Sequence, residues 1–215
     1  MALPSGSLLQ LTPQGLYCKA AEAWIDPWRP VSRALITHAH ADHARPGCGE
    51  YWAISSSEMI LRKRLGAAIK INAVSYEQQL HIGAAQVSFH PAGHVLGSAQ
   101  IRMEAGGESW LVSGDYKRCA DPSCTPFKPV KADVFITEAT FGLPIYRWQS
   151  GAEIAQQILE WWRSSADHSS ILFAYAFGKA QRLLAELAAI GVSDEVLLHG
   201  AVEALMPAYR CAGVS

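Results

Sequence analysis

His38-Ala39-His40-Ala41-Asp42-His43 places three imidazoles and one carboxylate within a single turn of chain. Ala34, Leu35 and Ile36 run up to it, which reads as a buried strand ending in a ligand-bearing loop. Imidazole and carboxylate are the donors that suit zinc and similar divalent ions. The six residues hold enough donors to begin two neighbouring metal sites. The interleaved Asp, and the distance from either terminus, separate the pattern from a histidine tag.

The surrounding composition is that of an ordinary globular chain. Its 215 residues are 50% hydrophobic and 17% charged, enough for one sizeable core and a little more. A formal net charge of -1 carries no global signature of nucleic-acid binding, although a local basic groove is compatible with it. The five cysteines (Cys18, Cys48, Cys119, Cys124 and Cys211) are odd in number and lack a framework spacing. They read as free thiols in a reducing compartment. No stretch is long and apolar enough to cross a bilayer, and the N-terminus has no secretory pattern. The expectation is a cytoplasmic protein with no membrane partner.

Patterning predicts a strand-rich first part. Short strands are expected between Leu8 and Ile25 around a Thr12-Pro13-Gln14-Gly15 turn. Others are expected over Arg33–Thr37, Ile69–Val74, Gln86–His90 and Asp133–Thr137, with a hairpin across Gly106-Gly107. A helix is predicted from Ser56 to Leu65, stopped by Gly66. After Pro144 to Gly151 the pattern changes. Ile154, Ile158, Trp161 and Trp162 recur at helical spacing. A buried strand is expected over Ile171–Ala176, a helix over Gly178–Ile190, a strand over Glu195–Leu198 and a helix over Val202–Tyr209. That alternation predicts the start of a parallel α/β unit. The domain reading is therefore 1–148 followed by 149–215.

Further donors follow at strand ends. His94 lies in Pro91-Ala92-Gly93-His94, where small neighbours let backbone approach a metal or substrate. Asp115 leaves an apolar strand in Ser113-Gly114-Asp115, and a carboxylate has two oxygens to share between cations. Either alone would more often be structural; their common placement at strand ends makes them candidates. Arg62, Lys63 and Arg64 read as a solvated helix face. Lys179 and Arg182 are the better candidates for phosphate contact.

Asp26, the His38–His43 cluster, His94 and Asp115, taken in order, resemble the metallo-β-lactamase fold superfamily. The resemblance implies an α/β fold, an αββα sandwich with metals at one sheet edge. It implies that His38, His40 and His94 bind a first divalent ion and that Asp42 and His43 bind a second. Asp115 would bridge both, and Asp26 would support them from behind. Zinc is the first expectation for the two ions and manganese the second, since one donor set serves both.

Three segments narrow the resemblance. Thr137-Glu138-Ala139-Thr140-Phe141-Gly142 resembles the first additional motif of the β-CASP nucleases. Phe177-Gly178-Lys179-Ala180-Gln181-Arg182 resembles the opening of their inserted domain. Pro91 to Ala99, Ser113 to Lys117 and Phe141 to Pro144 are similar to the bacterial ligase-associated DNA exonucleases. This implies metal-dependent hydrolysis of DNA phosphodiesters by a two-metal activated hydroxide, in repair, alongside a DNA ligase or helicase. Asp26, Asp42, Glu138 and His199 are the expected catalytic residues, Glu138 orienting a ligand His. RNA as substrate, a lactam or thioester hydrolase, and a non-catalytic truncated homologue stand as alternatives. Members of that family are longer than this chain, so truncation is a further expectation. His199, in Val196-Leu197-Leu198-His199-Gly200, resembles a later β-CASP His motif. A structural hydrogen bond is its equal alternative.

Overall fold

The computed structural model describes residues 7–164, 167–192 and 196–214. They form two compact units. The first takes the chain to Ala120 and Cys124–Glu138; the second takes Asp121–Ser123 and the chain from Ala139 onward. The division falls at Glu138, ahead of the 148/149 boundary read from the sequence.

The first unit is an α/β sandwich of two sheets. One sheet has six strands in chain order: β1 Leu9–Thr12, β2 Gly15–Cys18, β3 Ala23–Ile25, β4 Arg33–Leu35, β5 Glu50–Ile54 and β6 Ile71–Val74. The first two pairings are antiparallel, and β3 to β6 run parallel. The second sheet has five: β7 Leu80–Ile82, β8 Ala85–Pro91, β9 Ala99–Ala105, β10 Glu108–Val112 and β11 Val134–Ile136. It is antiparallel except that β11 runs parallel to β10. The predicted Gly106-Gly107 hairpin joins β9 to β10, with Ala105 opposite Glu108. β5 and β7 were not anticipated. Tyr51-Trp52 and the single turn between Leu80-His81-Ile82 and β8 give short, ambiguous patterns.

A single apolar cluster takes side chains from both sheets. Leu9, Ile25, Leu35, Ile54 and Val74 come from the first, and Val87, Phe89, Ile101, Met103 and Trp110 from the second. Alternation explains β8: Val87 and Phe89 are fully buried while Gln86 and His90 are half-buried. Burying a side chain such as Phe89 contributes roughly 2–3 kcal/mol. β4 lies between parallel neighbours, and its Ala34 and Leu35, facing opposite sides of the sheet, are both fully buried. Helix α1, Glu58–Leu65, follows a 3₁₀ turn at Ser55–Ser57 and buries Ile60 and Leu61. Gly66 ends it, its N–H bonding to Arg62 O at 3.0 Å.

The second unit is helical: α2 Gly151–Ser164, α3 Lys179–Ala189, α4 Gly200–Glu203 and α5 Met206–Cys211. Among its described residues there is no strand. The strand expected over 171–176 is therefore corrected. Phe173 is 95% exposed, and Ile171, Leu172 and Tyr175 are exposed too. An extended apolar run becomes a strand only with a ladder partner and a covering layer, and the described residues of this unit supply neither. Of the strand expected over 195–198, residues 193–195 lie outside the described residues, and 196–198 form no strand. The expected helix over 202–209 is split at Ala204–Leu205, because Pro207 opens α5 and cannot donate into a preceding turn.

Candidate metal centre

The connections that carry the candidate donors leave the ends of paired strands. Asp26 follows β3, and Ile25 is paired with Leu35 on parallel β4, whose end carries the histidine cluster. Asp26 N donates to Leu35 O at 3.0 Å. In the other sheet Asp115 follows β10 and Glu138 follows the parallel β11, with Val112 opposite Ile136. The His94 loop joins β8 to β9, and the two sheets meet where Ala99 N donates to Thr37 O at 2.7 Å. Parallel strands deliver their following loops to one edge, which is why residues remote in sequence converge.

The loops pack on backbone. A Cβ on Gly93 would lie 2.4 Å from Lys117 O, so only glycine admits the close approach beside His94. Ser98 Oγ accepts from the backbone N–H groups of His94 and Val95 at 3.0 and 3.1 Å. Arg64 does not lie on a solvated helix face as expected: its guanidinium donates to Ala39 O inside the histidine loop.

The donor atoms form two adjoining sets. In the first, His38 Nε2 is 2.9 Å from His40 Nδ1, which is 3.3 Å from His94 Nε2. Asp115 Oδ2 lies 3.8 Å from His38 Nε2 and 3.5 Å from His94 Nε2. All four donors fall within 4.8 Å of one another. In the second, His43 Nε2 is 3.4 Å from Asp115 Oδ1 and 3.6 Å from Asp42 Oδ2. Asp115 thus turns one oxygen to each set. Metal–ligand bonds of about 2.0–2.1 Å at tetrahedral angles separate donors by about 3.3 Å, and the observed spacings bracket that value. The residues present fit a divalent cation, and the His/Asp cluster can hold one.

Electrostatics favour the same use. Burial pushes the His38 imidazole well below its ordinary pKa, and neighbouring His43, His94 and His40 push it further. Burial likewise lowers His94 to about 4, against the pull of Asp115. Both rings are neutral at pH 7, with lone pairs available. Burial would lower His43 too, but hydrogen bonds to Asp115 and Asp26 outweigh it and raise it to about 10. The bond from His43 in turn holds the Asp115 carboxyl below the usual range. A cation at His43 must therefore displace a proton.

Behind the donors, Asp26 Oδ2 is 2.7 Å from His43 Nδ1, and Asp26 Oδ1 accepts from Thr37 N at 2.8 Å. Asp26 sits at φ +42°, a left-handed turn that a short polar side chain tolerates. Glu138 is anchored by its main-chain N–H to Ser113 Oγ at 3.3 Å. Asp42 is largely exposed. His199 belongs to the second unit, where its Nδ1 accepts from Ala201 N at 3.2 Å and caps α4. Arg182 is engaged by Asp121 at 3.4 Å and Glu186 at 3.6 Å. Lys179 lies over the Tyr175 ring, 5.3 Å from its centroid. Two residues escaped the sequence reading, Thr37 and Ser98. The signal for Thr37 is a hydroxyl directly before the first histidine of the cluster.

A sandwich with this donor edge defines a metallo-β-lactamase-type protein. Sequence relatives agree with the fold: the chain belongs to the metallo-β-lactamase/β-CASP superfamily. It is 32% identical over 209 residues to a "Probable DNA ligase" of Opitutus terrae, covering 94% of this chain and 20% of that protein. It is 31% identical over 155 residues to cleavage and polyadenylation specificity factor subunit 3 of Dictyostelium discoideum, covering 67% and 19%. Against the endoribonuclease YSH1 of Yarrowia lipolytica it is 30% identical over 119 residues, covering 54% and 14%. The chain spans about a fifth of the length of the first two relatives. No protein-family model matches it. A crystal structure of a protein of unknown function from Enterococcus faecalis shares the fold, with a TM-score of 0.59 at 12% identity over 81% of this chain and 48% of that one.

Proposed function

We propose that this protein is a metal-dependent phosphodiester hydrolase acting on DNA, an exonuclease of repair that works with a DNA ligase. The carrying observation is the placement of the Asp115 oxygens, one toward His38, His40 and His94, the other toward His43 and Asp42. In this reading the first set holds one divalent ion and the second another, zinc before manganese. When bound there, such ions would supply an activated water, with a pKa of about 7, and offset charge developing on a phosphoryl group.

The chain's own groups do the rest. His38 and His94 stay unprotonated and present lone pairs. Asp26 holds the back of His43 and so fixes its ring. Glu138, tied to Ser113 two residues before Asp115, supports that loop from the neighbouring strand. Asp42, largely exposed, lies 3.6 Å from His43 Nε2 and would complete the second set.

DNA is favoured because the relative that matches nearly the whole chain is named a DNA ligase. RNA is the second reading, favoured by the relatives named endoribonuclease. The test uses end-labelled single-stranded DNA, duplex DNA and RNA, with zinc or manganese added singly. His40→Ala and Asp115→Ala should each lower metal-dependent cleavage at least a hundredfold while leaving the protein folded. Cleavage of a chromogenic lactam but of no nucleic acid would reject the proposal. So would undiminished cutting by either variant.

A further inference from the structure

Thr37 is 1% exposed, and every candidate donor loop touches it. Its Oγ1 lies 2.5 Å from Asp26 Oδ2, 3.1 Å from His38 Nδ1 and, more distantly, 3.5 Å from His43 Nδ1. Its carbonyl accepts from Ala99 N at 2.7 Å, closing the loop that carries His94. Its side chain packs on the backbone of Gly114, where a Cβ would lie 2.6 Å from both its Cβ and its Oγ1. Asp115 follows directly.

Donors and acceptors around Thr37 Oγ1 admit one arrangement. An ionised carboxylate only accepts, and a hydroxyl has one proton. The Thr37 proton therefore goes to Asp26. Its oxygen is left to accept, so His38 must donate from Nδ1, which leaves the lone pair of a neutral ring on Nε2. His43 donates from Nδ1 to the same Asp26 oxygen at 2.7 Å, which leaves its Nε2 to face Asp115 and Asp42. We propose that Thr37 is the positioning residue of the metal centre, its hydroxyl relaying the polarity of Asp26 to fix the His38 tautomer that presents Nε2. The proposal rests on the reading that this cluster holds metal.

Two variants separate this role from simple packing. Thr37→Val keeps the buried shape beside Gly114 and loses the hydroxyl's hydrogen bonds to Asp26 and to the histidines. Thr37→Ser keeps the hydroxyl and loses a methyl group. Zinc affinity of the full chain, titrated against a competing chelator, should fall about 10–100-fold in Thr37→Val and change no more than about threefold in Thr37→Ser. A packing role predicts the reverse order. In parallel, long-range proton–nitrogen correlation spectra of histidine-labelled wild-type protein should show His38 protonated on Nδ1. Equal zinc affinity in wild type and Thr37→Val would overturn the proposal, as would a His38 ring protonated on Nε2. Should Thr37→Val fail to fold, the wild-type spectrum and Thr37→Ser decide. If the wild type binds no zinc, the proposed function fails, while the spectrum still judges the tautomer.

Discussion

Gly114 meets two demands at once. Its backbone turns at φ +54°, and it lies so close to Thr37 that no side chain fits between them. The turn alone would admit an asparagine or aspartate; the contact admits only glycine. Gly114→Ala should lower unfolding free energy by about 2 kcal/mol through strain and overpacking. It should weaken metal binding as well, because the displaced loop carries Asp115. Denaturant midpoints measured with and without zinc test both effects. An unchanged midpoint would mean that the Ser113–Asp115 loop has slack the geometry does not suggest. At this scale the sequence was most legible where chemistry sits in the residue type. Imidazoles and carboxylates announce donors, whereas Thr37 and Ser98 act through hydrogen bonds that any hydroxyl can make.

Parallel strands β4, β5 and β6 are clamped by one carboxylate. Glu50 on β5 sits opposite Arg33 on β4 and bonds its Nε at 2.7 Å; Lys70, just before β6, reaches the other oxygen at 2.7 Å. The Lys70 ammonium, then the Arg33 guanidinium, hold the Glu50 carboxyl at about 2, against an ordinary 4.5. A carboxylate whose pKa is depressed on folding adds stability above the unfolded value and loses it as pH falls through the folded one. The contribution is complete above about pH 5 and gone near pH 2. Because Lys70 is largely exposed, its size is about 1 kcal/mol. Glu50→Gln should remove that amount at pH 7, and its acid-unfolding curve should merge with wild type near pH 2. Curves that stay parallel down to pH 2 would rule the clamp out. Elements with strong local signals were readable: the Gly106-Gly107 hairpin, α1 with Gly66, and the amphipathic α2 and α3. The run 171–176 was misread because periodicity reports apolarity, and a strand also needs a neighbour to bond.

At the scale of the whole molecule, the candidate donor cluster found among the described residues lies in the first unit, where both sheets converge on one edge. A cation held there binds the folded state alone. Free zinc at a hundred times its dissociation constant should stabilise that unit by about 2.7 kcal/mol, and a chelator should lower its melting temperature without moving the transition of the second unit. Calorimetry of zinc-loaded and chelated protein checks this. Coincident shifts in both transitions would show that the two unfold together, and no shift would show that the cluster is not loaded.

The sequence alone determined the kinds of donor, their order and their attachment to strand ends, because ligand chemistry and apolar patterning are local properties of the chain. Only the tertiary structure decided which donors meet. The parallel pairing of β3 with β4 brings Asp26 to His43, and the contact between the sheets, where Ala99 pairs with Thr37 and Gly114 packs on Thr37, brings Asp115 to the histidines. Such pairings are long-range, and no window of residues contains them. The role of Thr37 lies at the same level: a hydroxyl has no fixed direction until the carboxylate that takes its proton is in place.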